Sequence, residues 1–222
     1  MRIEVKNLVK EYQRGKHGFD AVSDVSFTIE QGEFVCIVGH SGCGKSTLLN
    51  MLTGLLKPSS GEIRMDGSDI GTWKDRDLAD LRNTTIGYVL QGQGLLPNLT
   101  IWDNICLPAS LSRKKKGVSE EVFRLLREVG LEDKKDSYPS ALSGGEIRRA
   151  AIVRAMGNGP EVIIADEPTS SLDPENAKKV MELFKQISRG GTTVIVSTHD
   201  MEFLEYADRV FRMKSGKLET EA

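Results

Sequence analysis

The stretch that decides the fold reads Gly39-His40-Ser41-Gly42-Cys43-Gly44-Lys45-Ser46. It matches the pattern G-x-x-x-x-G-K-[ST] of a phosphate-binding loop. The apolar, β-branched run 34–38 before it predicts a buried strand, and the run 47–54 after it predicts a helix that ends at a glycine. A strand, a glycine loop and a helix in this order turn several backbone N–H groups toward one point. The helix dipole favours an anion at that point as well.

This phosphate loop (residues 39–46) predicts that the chain binds a nucleoside triphosphate. Lys45 is expected to contact the β- and γ-phosphates, and the Ser46 hydroxyl is expected to bind Mg²⁺. The glycines are expected to let the backbone close around phosphate oxygens that side chains would obstruct. The alternative is an accidental glycine-rich turn, which the strand and helix patterns on either side disfavour.

Composition limits the class of protein. The 222 residues are 28% charged and 39% hydrophobic, which is an ordinary globular balance. The formal net charge of −2 gives no support to nucleic acid as the main partner. No stretch approaches the roughly 18 apolar residues of a membrane span, the N-terminus does not resemble a signal peptide, and the three cysteines have no metal spacing. We therefore expect a cytosolic chain with no membrane span.

The rest of the chain alternates between strand and helix patterns. Short strands over 2–9, 22–29 and 62–65, with a polar turn around Gly15 and Gly18, predict a small antiparallel sheet. Further strands are predicted over 86–90, 162–165 and 192–197, with a last hairpin over 210–218. Helices are predicted over 73–82, with Thr72 and Asp75 as a capping box, over 174–187 behind an Asp173 cap, and over 201–207.

The stretch from residue 92 to 156 has a mostly helical pattern. We therefore predict an α/β fold: a phosphate-loop core with a mainly parallel sheet, an antiparallel β edge and an inserted helical subdomain. The whole chain is expected to be one domain, with 1–91 and 157–222 forming the ATP-binding core and 92–156 the helical subdomain. The basic run 113–116 is interpreted as a solvated loop.

Two acidic residues follow the apolar strand 162–165. Asp166 and Glu167 are expected at the carboxyl-terminal edge of the sheet, where open α/β folds bind their ligands. Asp166 is predicted to hold Mg²⁺ through water, and Glu167 to polarise the attacking water. Two acids that merely cap a strand end are the alternative.

Residues 141–150 read Ala-Leu-Ser-Gly-Gly-Glu-Ile-Arg-Arg-Ala, which resembles the signature sequence of the ABC-type ATPases. Other elements of that family follow in the family's order. Gln91 resembles its Q-loop glutamine, Ser171-Leu172-Asp173 its D-loop, His199 its switch histidine and Tyr12 the aromatic residue that stacks on adenine. The resemblance covers essentially the whole chain.

The resemblance implies the site residues. Lys45, Gln91, Glu167 and His199 would be catalytic, and Ser46, Gln91 and Asp166 would bind Mg²⁺. The residues implied to contact ATP are Tyr12, Gly39, His40, Ser41, Gly42, Cys43, Gly44, Lys45, Ser46, Thr47, Ser143, Gly144, Gly145, Glu146 and Asp173.

The signature turn (residues 143–146) also has a direct physical interpretation. Ser143 and Glu146 form the S-x-x-E capping box of a helix over 147–156. A simple cap needs no glycines, whereas Gly144 and Gly145 leave bare N–H groups that could bind a second phosphate. In the family this second site serves ATP held by a partner, so the resemblance implies an ATP-dependent head-to-tail homodimer.

Within the family, the chain is similar to the group of lipoprotein-release, macrolide-export and cell-division ATPases. Residues 95–105 and 138–140, Glu146 and the extended segment between Tyr12 and Val22 carry this similarity. His40, Cys43, residues 92–94 and the pair Ile147-Arg148 depart from the common pattern.

The similarity implies a subunit that powers separate transmembrane permease subunits at the inner face of the cell membrane, in export or in lipoprotein, peptide or drug extrusion. A mechanotransmission ATPase that moves no substrate is the alternative. A soluble ABC protein of DNA repair or translation is disfavoured, because those proteins usually carry two cassettes, coiled coils or zinc insertions. We also expect part of an apolar stretch to line an exposed cleft for a helix of the membrane partner: Leu95, Leu96, Pro97, Leu99, Trp102 and Ile105.

Overall fold

A computed structural model of the chain describes residues 1–14, 17–92, 94–112, 120–170 and 172–220. Its strands are β1 (Ile3–Arg14), β2 (His17–Ile29), β3 (Phe34–Val38), β4 (Ser60–Met65), β5 (Ser68–Asp69), β6 (Ile86–Val89), β7 (Val162–Asp166), β8 (Thr193–Thr198), β9 (Arg209–Lys214) and β10 (Lys217–Thr220). Its helices are α1 (Lys45–Leu52), α2 (Asp75–Thr84), α3 (Ile101–Leu111), α4 (Glu120–Glu128), α5 (Gly144–Ala155) and α6 (Pro174–Arg189). Short 3₁₀ turns lie at Ile70–Thr72, Glu132–Lys134, Pro139–Ala141 and Met201–Tyr206.

The larger sheet has six strands in the order β10-β9-β3-β8-β7-β6. Its strands pair in parallel except β10, which pairs antiparallel with β9. Strands β3, β7 and β8 are buried along their whole length, as expected where helices cover both faces of a parallel sheet. Because parallel strands end at the same edge, the residues after β3, β6, β7 and β8 come together there.

Alternate residues of the central strands face two separate hydrophobic clusters. On β3, Phe34 and Cys36 belong to the cluster that contains residues of α3 to α6, whereas Val35 and Ile37 belong to the other one. That second cluster contains residues of α1, α2 and the antiparallel sheet. The three cysteines are free, and burial raises the pKa of the Cys36 thiol to about 12.

The smaller sheet is antiparallel, with the order β2-β1-β4-β5. Ile3, Val5 and Leu8 of β1 are buried. The predicted polar turn is wrong at Gly18, which pairs with Gln13 inside the ladder. The two strands are longer than their polar sequences indicate, because backbone hydrogen bonds continue past the buried part of the hairpin.

Most predicted helices are present, with different ends. The capping box of Thr72 and Asp75 is wrong, because the Thr72 hydroxyl donates to the Asp69 carbonyl and Lys74 precedes α2 without a side-chain cap. The predicted Asp173 cap of α6 is confirmed, since its carboxylate accepts from the backbone N–H of Asn176 at 3.0 Å. The predicted helix 201–207 is a 3₁₀ turn.

The predicted α/β fold class, with its mainly parallel sheet, antiparallel edge and helices α3 to α5 between β6 and β7, is confirmed. Among the residues that the structure describes, no helix has both the length and the apolar character that crossing a bilayer requires. Some sequence interpretations concern residues outside the described ranges: Gly15, Gln93, the basic run 113–116 and Ser171.

Candidate active site

The phosphate loop connects β3 to α1, and Lys45 is the first residue of that helix. The Lys45 side chain is only 4% exposed. Its ammonium group donates to the Gly39 carbonyl at 2.7 Å and to the His40 carbonyl at 3.2 Å. The loop therefore holds its own cation in place, directly beside the free N–H groups of the helix N-terminus.

Two glycines of the loop are required by the protein's own backbone. A Cβ atom on Gly39 would lie 2.3 Å from the Met213 carbonyl oxygen. A Cβ atom on Gly44, whose φ is +111°, would lie 2.1 Å from the Ala21 carbonyl oxygen. The sequence prediction attributed these glycines to room for phosphate, whereas in the structure β9 and β2 leave no room for a side chain.

The Glu167 carboxylate lies at the centre of the predicted catalytic residues. Its Oε1 is 3.3 Å from the Lys45 ammonium nitrogen. Its Oε2 accepts from the Gln91 amide at 3.4 Å and lies 3.6 Å from Nδ1 of His199. These three partners come from α1, from the segment after β6 and from the residue after β8. The edge of the parallel sheet thus brings together all four predicted catalytic residues.

Asp166 is the last residue of β7 and its side chain is buried. Its Oδ1 accepts a hydrogen bond of 2.6 Å from the hydroxyl of Ser197 on β8. The sequence analysis assigned no role to Ser197. The available signal was a hydroxyl near the end of a predicted strand, since that strand and the Asp166 strand end at the same edge.

Gln91 is exposed, and backbone carbonyls on either side of it accept hydrogen bonds from two arginines of α5. Arg148 donates to the Leu90 carbonyl at 2.9 Å, and Arg154 donates to the Gly94 carbonyl at 2.7 Å. Burial lowers the pKa of both guanidinium groups. Sequence analysis noted Arg148 only as a departure from the family pattern and did not consider Arg154. These two hydrogen bonds connect the backbone at residues 90 and 94, the ends of the Gln91 segment, to α5, the signature helix that begins within the signature turn.

Tyr12 lies on β1, at the exposed end of the long hairpin. Its ring stacks on Phe19 of β2 with centroids 5.9 Å apart, and the Lys10 ammonium lies 5.5 Å from its centroid. An exposed aromatic ring at this position is available to stack on a flat ligand. Sequence analysis predicted Tyr12 but not its partner Phe19.

The predicted capping box at the start of α5 is confirmed. The Ser143 hydroxyl accepts from the Glu146 N–H, and the Glu146 carboxylate accepts from the Ser143 N–H at 2.8 Å. Lys134 also binds the Glu146 carboxylate. The hydrogen bond from Lys134, and next those from Ser143, lower the pKa of Glu146 to about 2.

The signature turn lies apart from the phosphate loop. In the described part of the chain, no hydrogen bond or ion pair connects residues 143–146 with residues 39–46. Gly145 instead packs on Asn176 of α6, where a Cβ atom would come within 2.8 Å of the amide group. Asn176 in turn donates to Asp173, and hydrogen bonds from its amide and backbone lower the pKa of that carboxyl. The predicted ATP contacts therefore form two groups.

Apolar residues after Gln91 are partly exposed. Leu95 and Ile105 are buried, whereas Leu96 and Pro97 are exposed and Leu99 and Trp102 are half-buried. A cleft of about 230 Å³ lies beside the later turns of α3, and its apolar lining includes Leu107, Pro108 and Leu111. None of the six residues predicted for the docking cleft is among the residues that line it, so the prediction is not supported at this cleft.

The chain matches known proteins over nearly its full length. The model of the family described as ABC transporter matches residues 22–170. The putative hemin import ATP-binding protein HrtA of Staphylococcus haemolyticus is 40% identical over 221 residues, which cover 99% of this chain and 100% of that protein. The macrolide export ATP-binding/permease protein MacB of Chlorobaculum tepidum is 40% identical over 214 residues. These residues cover 96% of this chain but only 33% of that longer protein.

A solved structure agrees with these matches. It is a dimeric structure of a post-hydrolysis state of the ATP-binding cassette MJ0796, bound to ADP and Pi. It is 36% identical to this chain, covers 99% of this chain and 97% of its own, and superposes with a TM-score of 0.91. The phosphate loop, the acidic pair and the signature turn thus belong to an ATP-hydrolysing enzyme. The chain is a member of the ABC transporter family and is an ATP-binding subunit of that family.

Proposed function

We propose that this chain hydrolyses ATP with Glu167 as the group that polarises the attacking water, and that hydrolysis drives separate membrane-spanning subunits. One observation carries the proposal: the Glu167 carboxylate lies within 3.6 Å of Lys45, Gln91 and His199. A carboxylate at the phosphate end of the sheet, beside the cation that would contact the γ-phosphate, is placed to accept a proton from the attacking water once ATP displaces that cation.

Lys45 contacts the β- and γ-phosphates, Gln91 orients the attacking water, and His199 contacts the γ-phosphate. In the structure, the Lys45 ammonium pairs with Glu167 at 3.3 Å. ATP brings phosphate charge to the same ammonium and so competes with this pair. The competition frees the Glu167 carboxylate to accept a hydrogen bond from water, which links nucleotide binding to activation of the base.

Ser46, Asp166 and Gln91 are the residues that would hold Mg²⁺. These residues offer a hydroxyl, a carboxylate and an amide oxygen, which are the hard oxygen ligands that Mg²⁺ prefers. The buried Asp166 has no cation within salt-bridge distance among the described residues, so its charge fits a divalent ion. When bound, Mg²⁺ neutralises charge that develops on the phosphate oxygens.

The adenine ring stacks on Tyr12, while residues 39–47 surround the phosphates. The second group of contacts, Ser143 to Glu146 with Asp173, binds ATP held by another copy of the chain. Two observations support this arrangement: the signature turn has no polar contact with its own phosphate loop, and the ADP-bound neighbour is dimeric. The working enzyme is then a head-to-tail homodimer that closes over two ATP molecules.

The membrane-spanning subunits are separate chains, and this chain works at the cytoplasmic face of the membrane by binding them. The cleft lined by Leu107, Pro108 and Leu111 is the docking surface, since it offers apolar side chains near the Gln91 segment. Transport runs outward, which is the direction that the name of the macrolide export relative gives for that protein. The name of the hemin import relative gives the opposite direction for that protein. Residues 1–91 and 157–222 form the ATP-binding core, and 92–156 form the helical subdomain that meets the partner.

The Glu167→Gln variant tests the catalytic part of the proposal. Glutamine keeps the size of the side chain but cannot accept a proton, so ATP hydrolysis should fall by at least about a hundredfold while ATP binding persists. Mg-ATP should then trap the variant as a dimer, because hydrolysis no longer removes the γ-phosphate from between the two copies.

The measurements are steady-state ATPase activity, calorimetry of ATP binding and light scattering after size exclusion, with and without Mg-ATP. Glu182→Gln is the matched control, because it neutralises an exposed carboxylate on α6. A Glu167→Gln protein that hydrolyses ATP at the wild-type rate would overturn the role of Glu167. A variant that remains monomeric with Mg-ATP would contradict the two-chain site.

A further inference from the structure

Ser197 contacts both acidic residues of the site. In the parallel pairing of β7 and β8 it lies directly beside Asp166. Its hydroxyl donates to Oδ1 of Asp166 at 2.6 Å and accepts from the backbone N–H of Glu167 at 2.9 Å. A hydroxyl has one proton to donate and two lone pairs, so one side chain satisfies both residues. Ser197 is 0% exposed, and water therefore does not compete for either bond.

The backbone of Glu167 needs such support. Its φ of +45° lies in the left-handed region, which residues other than glycine adopt rarely and keep only when their surroundings hold them. The Glu167 N–H lies 2.9 Å from the Ser197 hydroxyl and 3.1 Å from the Ser197 carbonyl oxygen. On the other side, the Glu167 carbonyl accepts from the Ser170 hydroxyl at 2.9 Å. These bonds hold the turn that directs the carboxylate toward Lys45, Gln91 and His199.

The bond to Asp166 has a separate effect. Because Ser197 occupies Oδ1, the rotation of the buried carboxylate is fixed. Oδ2 has no hydrogen-bond partner among the described residues, so it is the oxygen that remains for a ligand. The same hydroxyl therefore sets the direction of both acidic groups, which are adjacent in sequence but have different proposed roles.

We infer that Ser197 is a positioning residue for ATP hydrolysis, which holds Asp166 and Glu167 in one fixed relation through its hydroxyl. The inference rests on the proposed roles of these two residues. The backbone carbonyl of Ser197 remains in any substitution, so loss of the hydroxyl should disturb the direction of the acids and leave the strand pairing intact.

The Ser197→Ala variant removes only the hydroxyl. Groups that orient a metal ligand or catalytic residue typically change affinity or activity by about 10–100-fold, and we expect kcat to fall by that amount. The KM for Mg-ATP should rise by up to about tenfold, because Asp166 holds Mg²⁺ less well while the phosphate loop and Tyr12 are unchanged. A general loss of folded protein would lower the apparent kcat and leave KM unchanged, so the rise in KM separates positioning of the acids from unfolding.

A second readout does not depend on turnover. Calorimetry of ATP binding is done once with Mg²⁺ and once with EDTA. We expect the metal-free affinity to be the same for both proteins, while the gain in affinity caused by Mg²⁺ is about tenfold smaller for Ser197→Ala. An equal Mg²⁺ gain in both proteins would overturn the role at Asp166.

Thr193→Val is the matched control. Thr193 lies at the other end of β8, is also 0% exposed, and its hydroxyl accepts from the backbone N–H of Gly32 at 2.9 Å. Its loss should lower the melting temperature about as much as Ser197→Ala does, with kcat unchanged.

If both variants lose activity equally, Ser197 is only structural and the inference is wrong. If Ser197→Ala keeps full activity while Glu167→Gln is inactive, the inference fails alone. If Glu167→Gln is active, the proposed function fails first.

Discussion

At the residue scale, Lys45 combines a buried charge with the proposed phosphate contact. A buried ammonium group is costly unless it is paired, and here two loop carbonyls and the Glu167 carboxylate surround it. The same three oxygens fix the position of the nitrogen before any ligand arrives. The two loop carbonyls therefore hold the ammonium in advance for a triphosphate, which lowers the entropic cost of binding, whereas its pair with Glu167 has to yield to the phosphates.

We predict that Lys45→Ala abolishes ATPase activity and weakens ATP binding by about 1.5–3 kcal/mol, the range for a hydrogen bond to a charged group. The loss follows from removing the only cation that contacts the loop carbonyls within the described residues. Calorimetry with Mg-ATP measures the affinity, and Lys178→Ala, which removes an exposed lysine of α6, is the control. Unchanged ATP affinity in Lys45→Ala would contradict the phosphate assignment.

Sequence motifs predicted residues that act on the ligand but not residues that act through others. Lys45, Gln91, Glu167 and His199 occur in recognisable patterns, and the structure brings them together. Ser197 has no such pattern, because its importance comes from the register of β8 against β7. Register is set by pairing between distant segments, and a single sequence contains no direct signal for it.

At the scale of elements, the signature helix α5 does more than its periodicity indicates. The capping box predicts the helix and places its start at residue 147, three residues after its observed start at Gly144. Arg148 and Arg154 break the usual rule that charged residues lie outside, since they point into the protein and hold the Leu90 and Gly94 carbonyls. A movement of Gln91 would therefore be transmitted to the helix that carries the proposed second phosphate site.

In the hairpin β1–β2, the sequence predicts less regular structure than the structure contains. Its outer half is polar, so the sequence predicts a turn where the ladder in fact continues. Stacking between Tyr12 and Phe19 supports this exposed part, and such cross-strand aromatic pairs contribute roughly 0.2–1 kcal/mol. Hydrophobic alternation detects the buried half of a strand and says little about the exposed half.

The N-terminus of α5 should make stability depend on pH in an acidic window. Contacts with Lys134 and Ser143 lower the pKa of Glu146 to about 2, whereas the ordinary value is 4.5. A carboxyl with a lowered folded-state pKa stabilises the protein fully above the ordinary value. That contribution is lost as the pH falls from about 4.5 to about 2. Wild type should therefore lose this part of its stability on acidification.

In Glu146→Gln, the amide can still complete the capping box but cannot form an ion pair with Lys134. We expect wild type to be more stable than the variant at pH 6, and the difference to shrink as the pH approaches 3. Urea unfolding at several pH values measures it. Glu132→Gln is the control, because its pair with Arg127 is exposed and screened by solvent. Parallel pH curves for wild type and Glu146→Gln would contradict the role of the Lys134 contact.

At the scale of the whole molecule, the larger sheet organises both the proposed ATP site and the two hydrophobic clusters. Its carboxyl-terminal edge carries the proposed ATP site, and the hydrophobic clusters on its two faces belong to different sets of helices. The cleft beside α3 is lined by residues of both sides, including Tyr88 of β6 and Leu107 of α3. A partner helix in this cleft would contact the core and the insert together. It would therefore respond to any change in their relative position that ATP causes.

Leu111 is the most exposed large hydrophobic residue of this cleft, at 69%. We predict that Leu111→Asp weakens binding to the membrane-spanning subunits by about 10–100-fold. Burying one leucine contributes roughly 1.5–3 kcal/mol, and each 1.4 kcal/mol is a factor of ten. ATPase activity of the free chain should stay within about twofold, because Leu111 is the last residue of α3 and lines a cleft whose lining includes none of the four proposed catalytic residues.

The measurement is the fraction of the chain that sediments with membranes from cells that naturally express it. Leu55→Asp is the matched control, since Leu55 is 51% exposed but does not line the cleft. Leu111→Asp should move to the supernatant while Leu55→Asp remains with the membranes. If both variants sediment like wild type, the docking surface lies elsewhere. If both variants are released, membrane binding depends on exposed leucines in general and not on the cleft. A specific groove would tolerate a charge placed outside it.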